Sequence, residues 1–236
     1  MKECTSKILA TAVLAALAAW STPASAGFPF LTDDPGTQGI GKWEIDIFSQ
    51  YARARADSAG AFAAVQVNYG LTDNFDLQAQ APWAFAQANG VGTNSGIGDA
   101  QAGFKFRFVD EDKDGWRPAV AFVPAVIAPT GSAPRGLGAG YTRAFLPVWL
   151  SKSFGELTVF GGGGFNLNTG NIAGVRQKNF WFNGIGATYD INDDWTVGAE
   201  AYYASPVATG ARNTAGFNVA AIRHIDEVQH VMVLAG

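Results

Sequence analysis

Residues 75–85 read FDLQAQAPWAF. Phe75, Leu77, Ala79, Ala81, Trp83 and Phe85 alternate with Asp76, Gln78 and Gln80. A period of two sends successive side chains to opposite faces of a strand. The stretch just before it, YGLTDN at residues 69–74, reads as a polar turn between aromatics. The same unit returns at residues 189–200 as YDINDDWTVGAE. One small hairpin is therefore built twice, far apart in the chain.

The alternation extends outward from there. Trp43, Ile45, Ile47 and Tyr51 oppose Glu44, Asp46 and Gln50; Val65, Val67 and Tyr69 oppose Gln66 and Asn68. Phe104, Phe106 and Phe108 oppose Gln101, Lys105 and Arg107, and Trp195, Val197, Ala199, Ala201 and Tyr203 oppose Thr196 and Glu200. Aromatics recur at strand ends, as interfacial girdles require. Composition narrows the choice further. Charged residues are 15% of the chain, against about 25% in soluble domains. Beyond the first 26 residues no apolar run reaches the roughly 18 that a spanning helix needs. An all-β, antiparallel transmembrane β-barrel reconciles these facts, with one face in lipid and the other in water.

Residues 1–26 read as a signal peptide: Lys2 and Lys7, an apolar run over 8–20, then Ala24-Ser25-Ala26. Cys4, the single cysteine, lies inside it, so the exported chain has neither disulfide nor thiolate chemistry. The formal net charge of −4 offers no general attraction to nucleic acid. Short polar turns at 70–74, 110–115, 153–156, 190–194 and 224–228 alternate with longer Gly/Asn/Ser/Thr segments at 52–60, 87–98, 129–140, 168–178 and 205–214. That asymmetry predicts periplasmic turns on one rim and external loops on the other. Eleven strands result, at 42–52, 60–69, 75–86, 98–109, 116–128, 141–151, 157–167, 179–189, 195–204, 215–223 and 229–235. An even count is expected of such barrels, so eleven of an expected twelve are present. The division is signal peptide 1–26, periplasmic N-terminal segment 27–41, and barrel 42–236 lacking its last strand.

A series of stretches carries a resemblance: PFLTDDPGTQGIGKWEID (29–46), YGLTDNFDL (69–77), GIGDAQAGFKFRF (96–108), APTGS (128–132), LSKSFG (150–155), GGGGFN (161–166) and KNFWF (178–182). Together they resemble the outer-membrane family named for the meta pathway of phenol degradation, whose members are often labelled transporters. The resemblance implies an outer-membrane location, a twelve-stranded barrel ending in an aromatic, and a transport role. It implies no known substrate and no site residues.

With the apolar faces in lipid, the polar faces line the lumen. Glu44, Asp46, Asp76, Gln78 and Glu200 supply acids and an amide; Lys105, Arg107 and Arg117 supply bases. Segregated charge of this kind can set a transverse field that selects solutes. Gly161 to Gly164 mark either a barrel corner or room for the N-terminal segment to fold inward as a partial plug. Pro124 and Pro147 mark either a bulge or a weakened seam through which an apolar solute leaves sideways into lipid. Asp110, Asp112, Asp114 and Gly115 match the start of a calcium loop, but position twelve is Ala121, so a solvated turn is expected. His224 and His230 flank one periplasmic turn with no serine nucleophile in reach, so no enzyme activity and no cofactor is expected.

The function expected is an outer-membrane channel or transporter passing small solutes, aromatic or apolar compounds among them. Its partners would be the lipid bilayer, the solute and the barrel-assembly machinery. A mostly plugged structural or interaction barrel is the alternative, and a soluble exported β-sandwich the third.

Overall fold

The computed structural model describes residues 30–236 except 55–56, 89–91, 169 and 173. The expected signal peptide lies outside the described residues. The strands are β1 (Trp43–Ala54), β2 (Asp57–Thr72), β3 (Phe75–Ala88), β4 (Gly92–Ile97), β5 (Ala100–Val109), β6 (Ala119–Phe122), β7 (Ala125–Ala128) and β8 (Arg143–Phe154). They continue as β9 (Leu157–Leu167), β10 (Asn171–Ile172), β11 (Val175–Arg176), β12 (Phe180–Asn192), β13 (Trp195–Ala204), β14 (Thr214–His224) and β15 (His230–Ala235).

Thirteen of these form one antiparallel sheet whose path is β1-β2-β3-β5-β6-β8-β9-β12-β13-β14-β15. β4 extends β5, both pairing with β3; β7 extends β6, both lying between β5 and β8. The path thus has eleven strand positions, the number that the alternation predicts. It is one sheet, not two packed layers, which removes the sandwich. Among the described residues no ladder joins β1 to β15, so the expected closed ring is seen as an open path.

The turns differ from expectation at one rim. The described residues of the predicted loop at 52–60 are strand: Ala54 pairs with Asp57, and the ladder continues to Trp43–Tyr69. The predicted loop at 87–98 is largely β4, paired with β3 out to Ala88–Gly92. Ala, Ser and Gly dominate these stretches and carry no alternation signal, so their ladder is invisible to a reading by twos. The break expected at Pro124 falls between β6 and β7. It is bridged by hydrogen bonds from the Val123 amide to Pro147 O (3.1 Å) and from the Phe104 amide to Pro124 O (3.2 Å).

The two faces are sharply different. Ile45, Ile47, Leu77, Phe108, Ile185 and Val197 are exposed, Ile47 to 76%. Asn68, Asp76, Lys105 and Glu200 are buried, Lys105 to 1% exposure. This is a globular protein inverted, with charge inside and hydrocarbon outside. Exposed aromatics collect at both strand ends. Trp43, Phe108, Trp116, Phe154, Tyr189 and Trp195 stand at the short-turn rim, and Tyr51, Phe62, Trp83, Trp181, Tyr203 and Phe217 at the long-loop rim. Trp43 tilts onto Tyr69 at 4.3 Å, and Phe62 stacks on Phe85 at 4.4 Å.

Candidate functional site: the polar interior and its inserted segment

The interior is filled from two directions. From the short-turn rim, residues 30–41 enter as irregular backbone. Such backbone must place its N–H groups on partners once it leaves water, and the inner wall supplies them. Glu200 of β13 accepts from the Leu31 amide at Oε1 (2.8 Å) and from the Thr32 amide at Oε2 (2.9 Å). Asn218 of β14 steadies Glu200 by donating to Oε1 at 2.6 Å. Lys105 of β5 donates to Asp33 Oδ1 at 3.0 Å, with both side chains at 2% exposure or less. Gln38 donates its amide to Asp76 Oδ2 at 3.0 Å and its side-chain Nε2 to Glu44. At the rim, Gly41 and Gly70 tie the segment to the β2–β3 turn through N–H to O (2.8 Å).

Half-buried Asp34 lies outside the strands, and its Oδ2 is buried with no partner. Burial pushes its carboxyl up to about 6, while the nearby Lys105 charge pulls the other way. Phe30 leads the segment inward and meets Phe160 of β9 at 5.4 Å between ring centroids.

Missing side chains on the wall make the room. A Cβ added at Gly184 of β12 would collide with Thr32 Oγ1, and one at Gly198 of β13 would crowd the Phe30 ring. These two glycines, not Gly161 to Gly164, receive the segment. The glycine run serves another neighbour: Gly162 pairs with Trp149, and a Cβ there would press on that indole. The segment does fold inward, as one of the two expectations had it, but the glycines that admit it are Gly184 and Gly198.

From the long-loop rim the filling is apolar. Phe145, Trp149, Phe180 and Phe182 pack with Val123, Val207 and Ala208 in one buried cluster. Phe145, Trp149 and Phe182 meet edge to face at 6.2 to 6.4 Å, an arrangement that suits the ring quadrupoles. The loops carrying Val207 and Ala208 are fastened by the Lys178 amide to Val207 O (2.9 Å) and a bridge between Gln177 and Ala208. Beside this cluster the loop at 129–140 is pinned by Asp99, which accepts from the Gly131 and Ala139 amides and pairs with Arg143 at 2.9 Å. Leu31 and Tyr202 sit where the polar and apolar halves meet.

Of the residues singled out in the sequence, Glu44, Asp76, Lys105 and Glu200 come together on the inserted segment. Asp46 stands one row further along β1, and Gln78 lies beside Asn68 in the ladder. Arg107 and Arg117 do not join them. Arg107 is held at the rim by Asp110 Oδ1 (2.8 Å) and Asp73 O (3.0 Å). Arg117 precedes β6 rather than lying on it; it is exposed and donates to Asp110 O. Arg107 lies near the rim end of β5, and Arg117 lies in the turn that follows.

The partners Thr32, Asp33 and Gln38 went unread, since nothing in an irregular segment points to partners on strands as far along the chain as Asp76, Lys105 and Glu200. The acidic turn finds its partners within the protein: Asp112 Oδ1 accepts from the Asp114 and Gly115 amides, and Glu111 Oε1 accepts from Lys152 (2.8 Å) and the Ser153 amide of β8. His224 bonds Thr196 Oγ1 and His230, not a serine.

A family model described as "Putative MetA-pathway of phenol degradation" matches residues 30–221. No curated protein matches the chain. Among solved structures, the COG4313 outer membrane channel from Pseudomonas putida F1 is similar, with a TM-score of 0.60 and 14% identity over 85% of this chain and 89% of that one. At that identity the likeness speaks to the fold.

Proposed function

This chain belongs to the phenol-degradation family whose model spans residues 30–221, and from that premise we propose that it is an outer-membrane channel for small solutes. The observation that carries this is the inversion of the sheet. A band of Ile, Leu and Val faces outward between two aromatic girdles, while carboxylates, amides and Lys105 face inward. Only a bilayer makes the first face favourable, and only an enclosed polar space makes the second so. The solved channel of similar fold supports the same reading. The sheet closes in the membrane into a barrel, 30–41 is its inserted N-terminal segment, and the chain transports rather than catalyses.

The solute is a small aromatic or apolar compound. The long-loop half presents a cluster of aromatic rings, and the Trp149 indole N–H is buried there with no hydrogen-bond partner. Rings that stack and one spare donor suit a hydroxylated ring. Glu44, Asp46, Asp76, Gln78, Lys105 and Glu200 line the polar stretch that follows; Arg107 and Arg117 guard the mouth.

The inserted segment makes the resting channel narrow. Removing residues 30–38 from the folded, bilayer-inserted protein should raise single-channel conductance several-fold, and a phenolic solute should then interrupt the current. A protein silent in planar bilayers with and without the segment would overturn the channel reading.

A further inference from the structure

Above the inserted segment, the inner faces of β1, β2 and β3 carry a row of oxygen acceptors that finds no donor. Asp46 pairs across the ladder with Gln66, and Gln66 with Gln80. Neighbours in such a row have Cβ atoms roughly 5 Å apart. Asp46 Oδ2, Gln66 Oε1 and Gln80 Oε1 are each buried without a hydrogen-bond partner, and Gln66 is 3% exposed.

The row below dictates which way these groups point. Glu44 Oε2 already accepts from Gln38 Nε2, so Asn68 turns its Nδ2 to that oxygen at 3.5 Å. Asn68 Oδ1 then faces Gln66 and takes its Nε2 at 3.4 Å. Gln66 is left with its carbonyl as the free end, so the chain of amides delivers an acceptor, not a donor, to the row of Asp46. The next row toward the long loops, Phe48, Ala64 and Pro82, is apolar and offers no donor either. Glu44 and Asp76 on this wall and Asp33 and Asp34 on the inserted segment add further carboxylates, and the nearby Lys105 is already on Asp33.

Buried acceptors without donors are costly, and oxygen-only ligands with one formal charge suit a hard monovalent cation. A divalent ion would demand more carboxylates and a tighter cage. We propose that Asp46, Gln66 and Gln80 bind a partly dehydrated monovalent cation, an alkali ion or an ammonium group, and make the passage cation-selective. The selectivity rests on the channel reading; the binding site does not.

Thallium(I), a heavy stand-in for potassium, separates the two. In crystals of the intact detergent-purified protein soaked in thallium, an anomalous peak is expected within about 3 Å of the three oxygens. Asp46→Asn should lower its occupancy several-fold, and Gln66→Leu should abolish it, with heat-modifiable gel mobility confirming that both variants fold. No peak in the native protein, or a peak unchanged in both variants, overturns the site. In planar bilayers the potassium-to-chloride permeability ratio should exceed one and fall at least about threefold in Asp46→Asn. An anion-selective current overturns the selectivity. A peak in a protein that never conducts would instead strike the channel reading and leave the site standing.

Discussion

The two halves of the interior are filled by different physics. Toward the short turns, residues 30–41 are held by directional bonds: two amides on Glu200, Asp33 on Lys105, and Gln38 on Asp76 and Glu44. Toward the long loops, Phe145, Trp149, Phe180 and Phe182 are held by shape and hydrocarbon contact. Bonds to an irregular segment can be exchanged for water one at a time, so the polar half is the one able to open. A packed ring cluster gives way only by losing its whole contact surface. If the sheet closes into a channel, the polar half is the part that can open, and the apolar half the fixed constriction that a solute must suit.

Breaking each half should leave different signatures. Trp149→Ala removes the largest ring of the packed half and should cost about 3–5 kcal/mol, read as a lower urea midpoint with the segment still docked. Lys105→Met leaves Asp33 as a buried uncompensated charge and should cost the docked segment about 3 kcal/mol or more. That loss would appear as proteolysis within residues 30–38 while the sheet stays intact, and pairing it with Asp33→Asn should restore most of the protection. Glu200→Gln keeps one acceptor for two amides and should loosen the segment by about 1–2 kcal/mol, read by the same cleavage.

Acid should act in the opposite sense on Asp34. Its carboxyl in the docked segment is raised to about 6 from an ordinary value of 3.8, so burying its charge is unfavourable. Its contribution therefore favours docking below about pH 4, weakens as pH rises through 6, and is level above that. Protease protection of the segment should be greater at pH 5 than at pH 7.5, and Asp34→Asn should flatten that dependence. The smallest effect is expected from Arg107→Glu. Tied to the rim by Asp110 and Asp73, it should shift ion selectivity far less than Asp46→Asn does.

What could be read in the sequence follows from where the information is local. Alternation along 43–47, 65–69, 75–83 and 104–108 decides which side chains face outward, because a strand's period is two whatever it packs against. Glu200, Lys105 and Asp76 were legible as inward charges for the same reason. Their partners were not. Leu31 and Thr32 offer only backbone N–H groups to Glu200, which any residue type would offer equally. Gly184 and Gly198 are silent too, since a glycine marks space without saying what fills it. The glycine run at 161–164 drew attention and proved to serve Trp149, while the two isolated glycines admit the segment. Arg117 looked like a strand residue because apolar alternation starts just after it; the turn it belongs to is held by Asp112.

The orientation of the sheet is most directly tested with nitroxide labels in liposomes, at Ile47, Leu77, Ile185 and Val197 on one face and Gln78 on the other. The four apolar positions should be relaxed strongly by oxygen and weakly by a water-soluble nickel chelate, with Gln78 showing no such preference for oxygen. If the nickel reagent reaches Ile47, Leu77, Ile185 and Val197 as readily as oxygen does, the hydrocarbon side does not face lipid, and neither the channel nor its inserted segment survives.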